Sequence, residues 1–214
     1  MIKDNLNVSN SNFNLGYILF EPKELVTEKM PLLVFLHGAG ERGNGTDQLD
    51  RVKKHGIPQY ISNGAEYPAY VLCPQCPENM IWNNIVFSLK SLIDNIVEQY
   101  NIDTDRICIT GISMGGYGTW EMGILYPDYF SAIAPICGGG VQWRAHLLKD
   151  TPVRAFHGDK DPTVSIENTY LMVDAINKVG GKAEFIVLHN VDHNSWDYAY
   201  LQTNLIDWLI SNHK

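Results

Sequence analysis

Cysteine is scarce in this chain. It has four in 214 residues, Cys73, Cys76, Cys108 and Cys137. That is too few for a disulfide framework, and nothing in their placement demands an oxidising compartment. Cys108 and Cys137 sit inside apolar runs and read as small core residues. Cys73 and Cys76 form a C-x-x-C, but no second such pair accompanies it. His189 and His193 have a metal-like spacing, yet the simpler reading is that Pro74 and Pro77 shape a loop in which the thiols are incidental. No metal and no cofactor are expected. Positive charge is short as well: 16 Lys and Arg stand against 24 Asp and Glu, a formal net charge of −8. Nucleic acid and anionic membrane surfaces both select concentrated positive charge, so neither is expected as a partner. Long apolar runs are missing too; none approaches the ~18 residues of a membrane-spanning helix. Residues 1–15 are polar and lack the apolar stretch of a signal peptide, which points to the cytoplasm. With no repeat, low-complexity tract or linker, residues 1–214 read as a single domain behind that polar segment.

What is present is an alternation of short apolar runs with longer helical periods. Leu32–Leu36, Tyr70–Leu72, Ile107–Thr110, Ala132–Ile136, Val153–Phe156 and Phe185–Leu188 are near-continuous apolar stretches of strand length. Strands apolar on both faces belong in a parallel sheet covered by helices on both sides. Gly16–Glu21 is expected as an antiparallel edge strand. Leu89, Leu92, Ile93, Ile96, Val97 and Tyr100 form one helical stripe. Ile166, Tyr170, Val173 and Ile176 form a second, and Leu201, Leu205, Trp208 and Leu209 a third. The pattern predicts an α/β fold with a doubly wound, mostly parallel sheet. In such sheets ligands bind beyond the carboxyl ends of the strands, so the loops after the strands carry the functional question.

After Ile107–Thr110 comes Gly111-Ile112-Ser113-Met114-Gly115-Gly116, a G-x-S-x-G between a strand and a helix. That context builds a sharp turn that lifts a serine hydroxyl above the sheet, next to a helix N-terminus that favours negative charge. A hydroxyl needs a base, and the base needs a carboxylate to orient it. His157-Gly158-Asp159-Lys160-Asp161 follows one strand and His189-Asn190-Val191-Asp192-His193 follows another. The loop position favours His193 as the base, with His189 and His157 structural at strand ends. Asp161, two residues further out than Asp159 and fixed by Pro162, is the expected acid, while Asp159 caps its own loop. The glycine-rich His37-Gly38-Ala39-Gly40-Glu41-Arg42-Gly43 supplies a backbone N–H for an oxyanion. The expected donors are Ala39 and Met114, with Gly40 as substitute for Ala39. His37 braces this loop, and Arg42 pairs with a neighbouring acid. The same loop matches G-x-G-x-x-G, but the turn-like Asn44-Gly45-Thr46 starts no helix and no acidic residue follows the next strand. A dinucleotide site is therefore not expected.

These four motifs in this order resemble the α/β-hydrolase superfamily over about residues 16–212. They look like its small compact esterases, the carboxylesterase/phospholipase-like, dienelactone-hydrolase-like and "predicted peptidase" groups. Feruloyl and acetylxylan esterases and prolyl-oligopeptidase-like catalytic domains share the pattern. Dienelactone hydrolases carry cysteine where this chain has Ser113. The acid of the family's H-G-x-x-D pattern falls on Asp161. The resemblance implies an α/β-hydrolase fold and an ester hydrolase acting on small-molecule or carbohydrate-linked esters. A peptidase is the alternative enzyme, and a non-catalytic binding protein the alternative of another class. No large cap is expected after Ile136, where Gly138-Gly139-Gly140-Val141-Gln142-Trp143 stands. Trp143, Trp196 and Trp82 are candidate substrate-lining residues.

Overall fold

The computed structural model describes residues 2–4, 15–25 and 28–214. Its strands are β1 (Ile2–Asp4), β2 (Tyr17–Phe20), β3 (Met30–Leu36), β4 (Tyr70–Pro74), β5 (Ile102–Ile112), β6 (Ala132–Ile136), β7 (Val153–Gly158) and β8 (Ala183–Leu188). They form one sheet in the order β1-β2-β4-β3-β5-β6-β7-β8. From β4 to β8 every pairing is parallel, while β2 runs antiparallel to β4 and β1 antiparallel to β2. The expected edge strand is therefore real, and the polar N-terminal segment adds a further strand beyond it. The rest of that segment up to residue 14, namely residue 1 and residues 5–14, lies outside the described residues.

Every residue of β3 is buried, because alternate side chains enter different cores. Leu32, Val34 and Leu36 join one core and Leu33 and Phe35 the other. The first core is covered by α2 (Val86–Gln99), α3 (Met114–Leu125) and α4 (Glu167–Lys178), the second by α1 (Ile57–Ser62), α5 (Trp196–Leu201) and α6 (Leu205–Ser211). In α2 the stripe Leu89, Leu92, Ile93 and Ile96 faces the sheet. Each such side chain is worth roughly 1.5–3 kcal/mol of burial, which explains why this helix was readable.

Two stripes depart from expectation. In α4 the buried residues are Thr169, Met172, Val173 and Ile176, and Tyr170 is exposed. Thr169 is polar but its hydroxyl is held at 2.8 Å by the Gly138 carbonyl, so it occupies the core position that apolar patterning assigned to Tyr170. The C-terminal stripe is broken into α5 and α6 between Leu201 and Leu205, where the Leu205 amide donates to Thr203 Oγ1 at 3.1 Å. Leu201 is left exposed. The β6–β7 connection carries only a 3₁₀ helix, Gln142–Leu148, and no large cap. Among the described residues no helix is long and apolar enough to cross a membrane.

Candidate active site

The carboxyl ends of β3, β5, β7 and β8 bring four loops together. Ser113 stands between the end of β5 and the start of α3 with φ 53° and ψ −115°, a left-handed conformation unusual for a residue with a Cβ. The turn is closed by the Ser113 amide donating to the Ile136 carbonyl at 3.0 Å. Gly115 is needed for closeness: a Cβ there would fall 1.9 Å from the Leu36 carbonyl oxygen. The turn thus packs directly on the end of β3.

His193 reaches Ser113 from the loop after β8. Its Nε2 lies 2.8 Å from Ser113 Oγ and its Nδ1 lies 2.7 Å from Asp161 Oδ2. The Asp161 side chain is fully buried. Its other oxygen accepts the amides of Thr163 at 2.8 Å and Val164 at 2.9 Å. Burial pushes the Asp161 carboxyl up, but the His193 ring and the two amides outweigh it, and the group sits below its ordinary value. The β7 and β8 loops touch at Gly158, where a Cβ would lie 2.3 Å from the Val191 carbonyl oxygen.

Asp159 has another task. It accepts the Asn190 amide at 2.7 Å and sits 3.1 Å from His189 Nδ1, so it holds the turn after β8 rather than its own loop. His189 is exposed and pairs with Asp159, while the ring at Ser113 Oγ is that of His193. His157 is buried and lies 3.1 Å from Asp161 Oδ2, a contact that sequence spacing did not disclose. The only signal for it was a histidine at a strand end four residues before the acid.

The loop after β3 turns through a short 3₁₀ helix, Ala39–Glu41, that starts at Ala39 as α3 starts at Met114. The first N–H groups of a helix have no partner within it, so two helix starts flank the Ser113 hydroxyl's turn. Ala39 and Gly40 are exposed, and Met114 is nearly buried. His37 braces the loop: it accepts the Cys76 amide at Nε2, 3.0 Å, and donates from Nδ1 to the Gly38 carbonyl. Burial lowers its pKa to about 4. Among the described residues Arg42 pairs with no acid, contrary to expectation. It donates to the carbonyls of Ala39 and Met80, at 2.9 and 3.3 Å, and so ties the loop down.

The three tryptophans separate. Trp82 is fully buried with its Nε1 donating to the His37 carbonyl at 3.0 Å. It supports the loop from below and does not line the cleft, because Gly118 of α3 leaves room for it in the core. Trp196 stands edge-on to the His193 ring, 5.8 Å between centroids at 89°. Trp143 is 76% exposed on the 3₁₀ helix after β6. A cavity of about 250 Å³, lined by Phe20, Tyr67 and Val71 among others, lies at the amino end of β4, and Ser113 is not part of its lining.

Cys73 and Cys76 point into opposite cores, so they do not converge on one ion. Among the described residues one group of possible metal ligands exists, Cys137, Asp161 and His193, with ligand atoms within 4.8 Å. It fits a cation poorly. Both His193 nitrogens are engaged, and burial pushes the Cys137 thiol up to about 12, so it is a neutral thiol packed beside the site.

A crystal structure of a thermostable esterase superimposes on the chain with a TM-score of 0.82 and 32% sequence identity, covering 100% of this chain and 63% of that one. Acetyl xylan esterase from Aspergillus awamori matches with a TM-score of 0.75 over 97% of this chain and 99% of that one, at 14% identity, a likeness of fold alone. Over 52 residues the chain is 42% identical to poly(3-hydroxyalkanoate) depolymerase C of Paucimonas lemoignei, 24% of this chain and 13% of that protein. It therefore spans less than two thirds of the length of either the thermostable esterase or the depolymerase. Residues 23–203, which contain all four loops just described, match the Phospholipase/Carboxylesterase family, and the chain, an α/β-hydrolase in fold, belongs to it.

Proposed function

We propose that the chain hydrolyses carboxylic esters through an acyl-enzyme on Ser113, with His193 as base and Asp161 as the carboxylate that orients it. The observation that carries this reading is the His193 ring, whose two nitrogens lie 2.8 Å from Ser113 Oγ and 2.7 Å from Asp161 Oδ2. With Nδ1–H donated to the carboxylate, Nε2 is the unprotonated nitrogen and faces the hydroxyl. It takes the serine proton as Oγ bonds the carbonyl carbon, and the buried carboxylate stabilises the imidazolium that results. The Ala39 and Met114 N–H groups receive the charge on the carbonyl oxygen, with Gly40 as the neighbouring donor. Nε2–H then protonates the departing alcohol. Water then bonds the acyl carbon and gives its proton to the same nitrogen, which passes it to Ser113 Oγ as the Oγ–acyl bond breaks and the acid leaves.

The substrates proposed are esters of short, aryl or sugar-borne acyl groups, small molecules or carbohydrate-linked. Support comes from the esterase and depolymerase names of the relatives and from the short β6–β7 connection. Trp143 and Trp196 are the proposed aromatic flanks. A fluorophosphonate probe should label the protein once, and Ser113→Ala should abolish labelling and lower turnover of nitrophenyl acetate by about 10⁴–10⁶-fold. Turnover by Ser113→Ala above about 1% of the parent rate would overturn the assignment.

A further inference from the structure

Asp161 carries two histidines. His157, the penultimate residue of β7, has a fully buried side chain, and its Nε2 lies 3.1 Å from Asp161 Oδ2, the same oxygen that His193 reaches at 2.7 Å. Nε2 also lies 2.9 Å from the Val164 carbonyl. Both neighbours are acceptors, so Nε2 bears a hydrogen and donates. On the other side of the ring, Nδ1 lies 2.7 Å from the Thr169 hydroxyl of α4, which in turn lies 2.8 Å from the Gly138 carbonyl just past β6. With Nε2 carrying the hydrogen, Nδ1 is an acceptor, so the single Thr169 hydrogen goes either to the ring or to the Gly138 carbonyl, and Thr169 packs against the far side of the ring in both cases.

We propose that His157 is a positioning residue for Asp161, holding Oδ2 in place through Nε2–H while His193 moves its proton. This rests on the reading of Asp161 as the carboxylate that orients His193. Oδ1 is already fixed by the Thr163 and Val164 amides. Without His157, Oδ2 would have the part-exposed His193 ring as its sole donor among the described residues. Val164 closes the arrangement, since its N–H holds one end of the carboxylate and its carbonyl accepts from the ring that holds the other. The charged or titratable groups facing His157 are Asp161 and His193. Burial lowers the His157 pKa, which keeps the ring neutral, so it donates to the carboxylate without cancelling its charge. A donor on Oδ2 also makes the carboxylate less basic, and this limits how firmly it retains the proton on His193.

Three substitutions separate this role from packing. His157→Leu removes the donor; kcat should fall on the order of 10–100-fold at near-parent KM, the scale of a loosened catalytic geometry. The acid limb of the kcat profile should move to higher pH, because a more basic Asp161 holds the His193 proton more firmly. His157→Gln places an amide nitrogen near the Nε2 position and should restore both kcat and the limb. His157→Asn reaches only as far as Nδ1 and should behave as His157→Leu. Melting curves and fluorophosphonate labelling of Ser113 monitor folding, and if His157→Leu does not fold, the Gln and Asn pair decides alone. Equal loss in Gln and Asn with an unmoved acid limb, or parent-like kcat in Leu or Asn, would overturn the proposal. A parent enzyme that turns over no ester and takes no label would instead sink the reading of the site, and this proposal with it.

Discussion

Asp159 and Asp161 are two positions apart and do different work because of what surrounds them. Asp161 is fully buried and bound by two histidines and two amides, while Asp159 is part-exposed and ties down the Asn190 amide. Asp161→Asn should lower kcat by about 10⁴-fold, because the amide cannot hold His193 in the tautomer with Nε2 free. Asp159→Asn should cost less than tenfold in kcat and some stability; steady-state kinetics on one nitrophenyl ester compares them, and similar losses would contradict the distinction. His37 makes a second residue-scale prediction. Its pKa is lowered to about 4 by burial, while the unfolded chain keeps the ordinary 6.5. Between those values the unfolded state binds more protons, so stability falls as pH falls, and the full contribution is present above about 6.5. The gap is worth roughly 3 kcal/mol. Urea unfolding between pH 7.5 and 4 should show this decline, and His37→Gln should flatten it; the His157 pKa is lowered in the same direction, so part of the slope should remain. An unchanged slope would assign the decline elsewhere. The order Ser113, Asp161, His193 was readable because each follows an apolar strand. Arg42 and Trp82 were not, since a carbonyl partner or a cavity under a loop leaves no trace in spacing.

At the scale of elements, the turn at Ser113 depends on backbones approaching without side chains between them. Gly115→Ala would drive a Cβ to 1.9 Å from the Leu36 carbonyl, which belongs to rigid β3 and cannot yield. The expected cost is at least about 3 kcal/mol, seen as a lowered urea midpoint and lost labelling of Ser113. Gly40→Ala, where a Cβ would meet nothing within 4 Å, should leave the midpoint near the parent value. Equal effects would show that the turn tolerates separation. The strands were legible for a simple reason: a central parallel strand is buried on both faces, so Ala132–Ile136 appears in sequence with the same ends as in β6. Helix α3 could not be found by periodicity. It is buried nearly all round, from Met114 through Ile124, and has no polar face to alternate with. It was visible only through the serine turn before it. The C-terminal stripe misled because Leu201 and Leu205 keep helical spacing across a break that Thr203 makes by accepting the Leu205 amide.

For the molecule as a whole, what is missing above the sheet bears on substrate choice. Between β6 and β7 there is only the 3₁₀ helix carrying Trp143, so nothing large covers the approach to Ser113 from that side. An enclosed acyl tunnel would gain about 0.8 kcal/mol for each methylene it buries, close to a fourfold rise in kcat/KM per carbon. An open cleft leaves the distal carbons in water and gains nothing from them. Across acetyl, butyryl, octanoyl and dodecanoyl esters of one nitrophenol, kcat/KM should therefore stop rising after the short acyl groups. Trp143, 76% exposed, offers a free aromatic face. Stacking on it is worth about 0.5–1.5 kcal/mol, so Trp143→Ala should lower kcat/KM for aryl-acyl esters by roughly 2- to 10-fold and leave acetyl esters unchanged. Because Trp143 lies on the surface, this substitution should leave the melting temperature near the parent value, and a change in selectivity then reads out contact with substrate. A rise of kcat/KM continuing to dodecanoyl, with activation at an oil–water interface, would mean that the molecule encloses a long acyl chain and that the open-cleft reading is wrong.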